Sequence, residues 1–307
     1  MNIITLTINP AFDTHIEIEN FILGTENYAE ARSRQAGGKG INVSRALSLN
    51  GVDNTALVII GKKNGREFEE ALEADGVKYC PIYTDGEIRE NITIHSCDET
   101  RISLEGKMPT DEEVSALFEI CRKNVLKGDS VVFSGRIPKG ADKKKILKEL
   151  KKLSDDGVKL YIDTNSFSLD EVIKVSPYLI KPNRNELASL CGKFERNAGA
   201  FRLAAEAARR GIGRVLLSLG SEGAAVIGDG FGFYARAPKI VVKSTIGAGD
   251  SMLAGYIASK EAGKTESEAL ISAVAWGSAK CLRDGTLPPL SQDIDNLEKE
   301  IKVEKIQ

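Results

Sequence analysis

Histidine is nearly absent from this chain, which has only His15 and His95 among 307 residues. Neither lies in a metal-ligand spacing, so a histidine-centred mechanism has little material, and both are expected on the surface or in a lid. The five cysteines, Cys80, Cys97, Cys121, Cys191 and Cys281, are odd in number, widely spaced and form no C-x-x-C pair. This argues against a disulfide framework and against a zinc site, and a reducing cytoplasm is the expected setting. An excess of one charge is missing too. With 42 basic and 44 acidic residues the net charge is −2, which gives no electrostatic reason to expect nucleic acid or an anionic membrane as partner. No apolar run approaches a membrane span, and residues 1–8 carry no basic segment before Asn9-Pro10 interrupts them. Internal repeats, low-complexity tracts and linkers are also lacking, so charged chemistry must rest on Asp, Glu, Lys and Arg.

What is present is an alternation. Short β-rich runs at 3–8, 55–60, 130–134, 159–163, 178–181 and 214–219 are separated by helical spacing at 42–49, 67–74, 111–123, 143–153 and 200–210. This series of βα units predicts an α/β protein with a mostly parallel sheet. Residues 252–282 are expected to form two long helices joined near Gly263-Lys264-Thr265. Two stretches, 13–35 and 89–106, have period-two segments and a polar turn instead, and are expected to be hairpins. Hairpins do not readily enter the interior of a parallel sheet, so these two are expected to meet as a small β layer. That layer would be a lid with an outer face suited to a dimer contact, or a pair of surface decorations. The expected division is a main domain over 1–12, 36–87 and 107–307, with a lid over 13–35 and 88–106.

Two glycine-rich segments each run straight into a helix. Ala36-Gly37-Gly38-Lys39-Gly40-Ile41-Asn42-Val43-Ser44 is neither the triphosphate loop G-x-x-x-x-G-K-[ST] nor a dinucleotide fingerprint, since spacing and placement are wrong for both. Its glycines allow close backbone approach to a polar ligand at a helix start, with Asn42 able to bond hydroxyls. Lys243-Ser244-Thr245-Ile246-Gly247-Ala248-Gly249-Asp250-Ser251 sets a second such turn beside a carboxylate. By itself this second segment fits an aspartate-capped turn or an anion cradle with an adjacent base equally well. Phosphoryl transfer needs the latter pair, a cradle for developing charge and a carboxylate within reach of the nucleophile.

Taken together, the two segments resemble the two signature motifs of the ribokinase-like (PfkB) sugar kinases, with Gly51 and Gly61 following the first and Met252-Leu253-Ala254-Gly255 extending the second. The resemblance covers nearly the whole chain. The segments Asn9-Pro10-Ala11-Phe12-Asp13, Lys181-Pro182-Asn183-Arg184-Asn185-Glu186 and Ser218-Leu219-Gly220-Ser221-Glu222-Gly223 follow in the family's order. The opening Asn-Pro-Ala-x-Asp is similar to the branch containing 1-phosphofructokinase and tagatose-6-phosphate kinase. The resemblance implies a three-layer α/β/α fold with a β-sheet lid.

It also implies roles. Asp250 matches the general base, and Gly247, Ala248 and Gly249 match the anion hole. Asp13, Gly38 and Asn42 match positions that hold sugar hydroxyls; without the family, Asp13 would read as a turn carboxylate. Asn183 and Glu186 resemble the N-x-x-E element that acts on magnesium-bound phosphates through water, although the same spacing is a helix capping box. Lys181, Ser218, Gly220 and Gly223 match nucleotide-contacting positions. Arg89-Glu90-Asn91 resembles the branch's R-x-N element, and Arg89 suits a substrate phosphate, with Asn91 beside it and Lys39 in support.

Two segments depart from the pattern. Arg136 stands where the family usually has serine, and it either adds a phosphate contact or faces solvent. Asp163-Thr164-Asn165-Ser166 lacks the usual Ser-Gly pair. The expected activity is magnesium- and ATP-dependent phosphorylation of a ketohexose monophosphate, fructose 1-phosphate first and tagatose 6-phosphate as its alternative, by a homodimer. A non-catalytic sugar-phosphate sensor is the more distant reading.

Overall fold

The computed structural model describes residues 1–191 and 199–306. The first half contains β1 (Ile3–Thr7), β2 (Ala11–Glu17), β3 (Ala31–Gly37), α1 (Lys39–Leu49), β4 (Thr55–Gly61), α2 (Gly65–Ala74), β5 (Tyr79–Thr84), β6 (Arg89–His95), β7 (Glu99–Ser103) and α3 (Asp111–Asn124). There follow β8 (Ser130–Ser134), α4 (Lys143–Asp155), β9 (Lys159–Asp163), α5 (Leu169–Val175), β10 (Leu179–Ile180), α6 (Arg184–Cys191), α7 (Ala200–Arg209) and β11 (Arg214–Ser218). The remainder is β12 (Ala224–Gly228), β13 (Phe231–Ala235), α8 (Ala248–Glu261), α9 (Glu266–Cys281), α10 (Ser291–Glu298) and β14 (Val303–Lys305).

Ten strands form one sheet in the order β14-β13-β12-β11-β10-β9-β8-β1-β4-β5. From β5 to β11 every pairing is parallel. Strands β1 and β8 are buried at every residue, as expected for parallel strands covered on both faces. Helices α3, α4 and α7 pack on one face of the sheet; α1 packs on the other, with α8, α9 and α10 bound to it in series. The predicted βα series is therefore present, and each expected strand is formed within one residue of its expected ends.

One region was not anticipated, and one boundary needs correction. The alternation stops at β11, and β12, β13 and β14 complete the sheet as an antiparallel edge. Its first strand, Ala-Ala-Val-Ile-Gly, has too little β-branched content to stand out as a strand. Helix α1 also begins three residues earlier than predicted, at Lys39, because Gly38 holds φ +118° at its N-cap and turns the chain directly into the helix. A side chain at Gly38 would meet Thr7 Cγ2 at 3.2 Å and Pro10 Cα at 3.3 Å, so only glycine lets the helix start this close to β1.

The two expected hairpins meet in a four-stranded sheet of order β3-β2-β6-β7. Strands β2 and β6 pair in parallel, with Asp13 opposite Asn91 and Ala11 opposite Arg89. His15 and His95 lie within these strands, stacked with ring centroids 5.2 Å apart and joined by a 2.9 Å nitrogen–nitrogen hydrogen bond. Burial, with His95 beside it, pushes the His15 imidazole below its usual range.

Helix α8 carries Asp250 in its first turn, and its position is set by close packing on α9. A Cβ on Gly255 would lie 2.5 Å from Trp276 Cγ and 2.8 Å from the Ser272 carbonyl oxygen. The backbone carbonyl cannot move aside as a side chain could. Gly255→Ala should therefore lower stability by about 1–3 kcal/mol, because overpacking outweighs the gain of about 1 kcal/mol in helix propensity. Thermal unfolding measures this; an unchanged or raised midpoint would contradict the packing account.

Candidate active site

The parallel strands end along one edge, and the chain order reverses between β1 and β8. Ligands of open α/β sheets bind at such a switch point, at the carboxyl ends of the strands. Here Thr7, Ser134, Lys181 and Ser218, from the ends of β1, β8, β10 and β11, line a cleft of about 590 Å³. Asp13, Arg89, Asn91, Arg101 and Ser103 of the small sheet line it too, as do Gly38, Lys39 and Asn42 of the α1 start. The turn before α8 and α8 itself contribute Thr245, Ile246, Gly247, Gly249 and Asp250, and Asn9, Gly135, Arg136, Asn183 and Glu186 complete the wall. Most residues singled out from sequence are thus brought together. Ala248, Gly220 and Gly223 lie outside this lining. Gly223 instead lets two backbones touch, since a Cβ there would fall 2.0 Å from the Ala235 carbonyl oxygen.

At the centre are four charges: Asp163, Asp250 and Lys181 are buried, and Lys39 is partly exposed to the cleft. Lys39 Nζ donates to Asp163 Oδ1 at 2.9 Å, and Lys181 Nζ lies 3.4 Å from Asp163 Oδ2. Burial opposes the charge on Asp163, yet Lys181 and Lys39 overcome it and hold the carboxyl below its usual range. The same attraction, with Asp250 added, raises the Lys39 ammonium despite its burial. Asp250 is different. Burial pushes its carboxyl up to about 6; Lys39 and Asn42 pull downward, while Asp163 adds to the rise. A carboxylate near that value is ionised at neutral pH and still basic enough to take a proton. Asn42 Nδ2 donates to Asp250 Oδ2 at 2.8 Å and fixes one oxygen, so the α1 start positions the carboxylate from the facing helix.

Gly247 sits at the N-cap of α8 with φ +78°, a left-handed turn that glycine adopts without strain. The Ala248 N–H donates to the Thr245 carbonyl at 3.2 Å, so it is used within the turn. The N–H groups of Gly249 and Asp250 belong to the helix's first turn, which has no intrahelical acceptors for them. With the helix dipole behind them they are able to receive an anion beside the carboxylate, and the Lys181 ammonium lies 3.1 Å from where a Gly249 Cβ would stand.

The small sheet supplies a second polar cluster. Its register brings Asn91 Nδ2 to 2.8 Å from Asp13 Oδ1, whose carboxyl is raised chiefly by burial. Arg89 donates from Nη1 to Asn91 Oδ1 at 2.6 Å and from Nε to Asn9 Oδ1 at 2.9 Å. Both acceptors are neutral amides, so the guanidinium is oriented without its charge being spent on a carboxylate. Arg136 instead pairs with Glu105 at 2.7 Å, exposed at the cleft mouth.

Asn183 and Glu186 form a reciprocal capping box: Asn183 N–H donates to Glu186 Oε2 at 2.9 Å, and Glu186 N–H donates to Asn183 Oδ1 at 2.8 Å. The capping geometry and a place on the cleft wall coexist. Among the described residues no cluster of three or more acidic, histidine or cysteine side chains could hold a metal by itself. A single half-exposed carboxylate does suit magnesium held mainly by phosphates and water.

Sequence reasoning missed three contributors. Asp163 was legible only as a strand-end aspartate; its role as the carboxylate between two lysines depends on tertiary approach. Arg101 and Ser103 come from β7, which no motif marks. The described structure has no helix long and apolar enough to cross a membrane, and all five cysteines are free thiols.

This arrangement places a carboxylate of raised basicity, free N–H groups at a helix start and two ammonium groups in one cleft, a combination that phosphoryl transfer can use. The profile of the pfkB family of carbohydrate kinases matches residues 9–293. The chain is 34% identical to a 1-phosphofructokinase of Borreliella burgdorferi, with 99% of each covered. It is 31% identical to a tagatose-6-phosphate kinase of Staphylococcus epidermidis, covering 98% of this chain and 99% of that one. The fold superposes with a TM-score of 0.91 on phosphofructokinase-2 from Escherichia coli in complex with substrates and products, at 25% identity over 98% of this chain and 99% of that chain. The chain belongs to the pfkB family of carbohydrate kinases.

Proposed function

We propose that this protein transfers the γ-phosphoryl group of ATP to the free primary hydroxyl of a ketohexose monophosphate, with fructose 1-phosphate as acceptor and fructose 1,6-bisphosphate as product. The observation that carries this reading is Arg89, a guanidinium whose hydrogen bonds among the described residues go only to neutral amides, on the wall of the cleft that contains Asp250. A plain sugar has no need of such a cation, whereas a phosphate dianion fits its fork. The 1-phosphofructokinase relative, similar over its full length, favours the fructose ester. Tagatose 6-phosphate is the second reading, favoured by the similarly complete match to a kinase for that sugar. An intact Asp250 and Gly-Ala-Gly turn favour catalysis over sensing.

In this reading Asp250 accepts the proton of the acceptor hydroxyl as its oxygen attacks the γ-phosphorus. The bond from that phosphorus to the β,γ-bridging oxygen breaks, and ADP leaves with the electron pair. Asn42 orients Asp250, and the first N–H groups of α8, with Lys181, meet the charge on the moving phosphoryl group. Glu186 and Asn183 would face a magnesium ion through water, and that ion would supply charge neutralisation on the nucleotide phosphates. Asp13 and Asn91 would hold sugar hydroxyls. The small sheet would act as the lid, covering the sugar and excluding water. Its outer face carries Ile16, Ile92 and Ile102 by strand alternation, and we propose that this face pairs with a second copy in a cytoplasmic homodimer.

Asp250→Asn should lower kcat on fructose 1-phosphate by roughly 10²- to 10⁴-fold with little change in KM, since it removes the base and keeps the shape. In the parent, kcat/KM should rise with pH through about 6, because the carboxylate must be ionised to accept the proton. The variant should lose that limb, and near-parental turnover would refute the assignment. Arg89→Ala should raise KM for the sugar phosphate by roughly ten- to a hundredfold, as expected for a charge-assisted pair, while sparing KM for ATP. An unchanged KM would remove the clamp. Sedimentation should show a dimer that Ile92→Glu converts to a monomer; a monomeric parent would contradict the lid interface.

A further inference from the structure

Among the buried charges, Lys280 has no part in the chemistry described so far. It is 1% exposed, in the last turn of α9, and no carboxylate lies within ion-pair range of it among the described residues. Its Nζ donates instead to two main-chain oxygens, Gly285 O at 2.8 Å and Arg283 O at 3.3 Å. A buried ammonium satisfied by carbonyl dipoles is costly unless those dipoles are held in place for it. Burial accordingly lowers it to about 8, with Cys281 and Asp284 pulling upward and Arg283 downward.

The surroundings give this cost a purpose. The backbone N–H groups of Lys243 and Ser244 donate to the Cys281 carbonyl, at 2.8 and 3.4 Å, so the turn leading to the anion cradle hangs on the end of α9. Gly247, at the N-cap of α8, faces the lysine stem: a Cβ there would stand 3.6 Å from Lys280 Cε. The carbonyl-bearing loop on the other side reaches the small sheet. A Cβ on Gly285 would lie 3.1 Å from His15 Nε2, and Thr286 Oγ1 hydrogen-bonds the Gln35 side chain. One ammonium therefore sits between the Gly247 turn and the loop that meets the lid.

We propose that Lys280 is a positioning residue for phosphoryl transfer: its ammonium is an internal cation, seated on the Arg283 and Gly285 carbonyls, that fixes the Gly247 turn and so aims the first N–H groups of α8. This rests on the reading of that turn as the anion hole. Carbonyl oxygens arranged around an ammonium resemble those that replace the hydration shell of potassium. Removing the side chain should therefore leave a seat that a monovalent cation can fill.

The test compares Lys280→Met, which keeps the bulk of the stem, with Lys280→Ala, which opens the space. Both should lose about a hundredfold in kcat, the scale of a small misalignment at a reacting centre, with KM for the sugar phosphate held within about twofold. In Lys280→Ala, potassium or ammonium chloride should restore at least about tenfold of kcat over choline chloride at equal ionic strength, and should raise the thermal midpoint; the parent should respond to neither exchange. Parental kcat in both variants would overturn the proposal, as would an Ala variant whose activity and midpoint are the same in potassium and choline. The thermal comparison reads the cation seat without turnover. A parent that turns over no sugar phosphate would count against the kinase reading, while the response of the midpoint would still decide the seat.

Discussion

The structure of the site depends on one buried carboxylate. Asp163 ends β9 in the interior of the fold and carries its charge only because Lys39 and Lys181 converge on it from two other elements. An unpaired ion at that depth would cost several kcal/mol, so the triad ties the start of α1 to the end of β10. With both lysines drawn to Asp163, Asp250 receives only part of their attraction. Burial then dominates its titration, and it is left as a carboxylate of raised basicity beside an anion cradle. A base and a set of cations are thus kept adjacent without neutralising each other.

The second constraint is topological. Parallel strands covered on both faces bring their carboxyl ends to one edge, so residues far apart in sequence, Thr7, Ser134, Lys181 and Ser218, meet without any local signal that they should. The small sheet reaches the same edge because β2 and β6 leave the main body side by side. Their register, Asp13 opposite Asn91, converts two separate hairpins into one polar surface carrying Arg89. Arg89 on one element and Asp250 on another, read as clamp and base, suit a substrate with a phosphate and a hydroxyl that are chemically distinct.

Most of the fold was legible because its signals are local. Alternating β-rich runs and helical periods locate the parallel strands, and the glycine-rich turns mark the starts of α1 and α8. The antiparallel edge escaped because alanine and glycine in β12 carry little β signal, and α1 began earlier than expected because its first turn, Lys39-Gly40-Ile41, lies inside the glycine-rich segment, where helical spacing is weak. The site was legible where residues lie within motifs, as Asp250, Asn42 and Arg89 do. Asp163 and Arg101 were not, since their places come from tertiary neighbours, two lysines from other elements and a cleft wall shared with β7; the part proposed for Lys280 likewise depends on two carbonyls that a sequence cannot place. Asn183 and Glu186 show the remaining ambiguity, because one spacing serves a helix cap and leaves both residues on the cleft wall.

The central claim is that the cleft joins a phosphate clamp to a phosphoryl-transfer centre. The most direct measurement supplies the purified protein with ATP and magnesium and compares fructose 1-phosphate, tagatose 6-phosphate, fructose 6-phosphate and ribose by initial rate, identifying the product by phosphorus NMR. The account predicts highest kcat/KM on fructose 1-phosphate, a bisphosphate product, and little turnover of ribose. Preference for an unphosphorylated sugar, or ATP hydrolysis indifferent to all four, would contradict it.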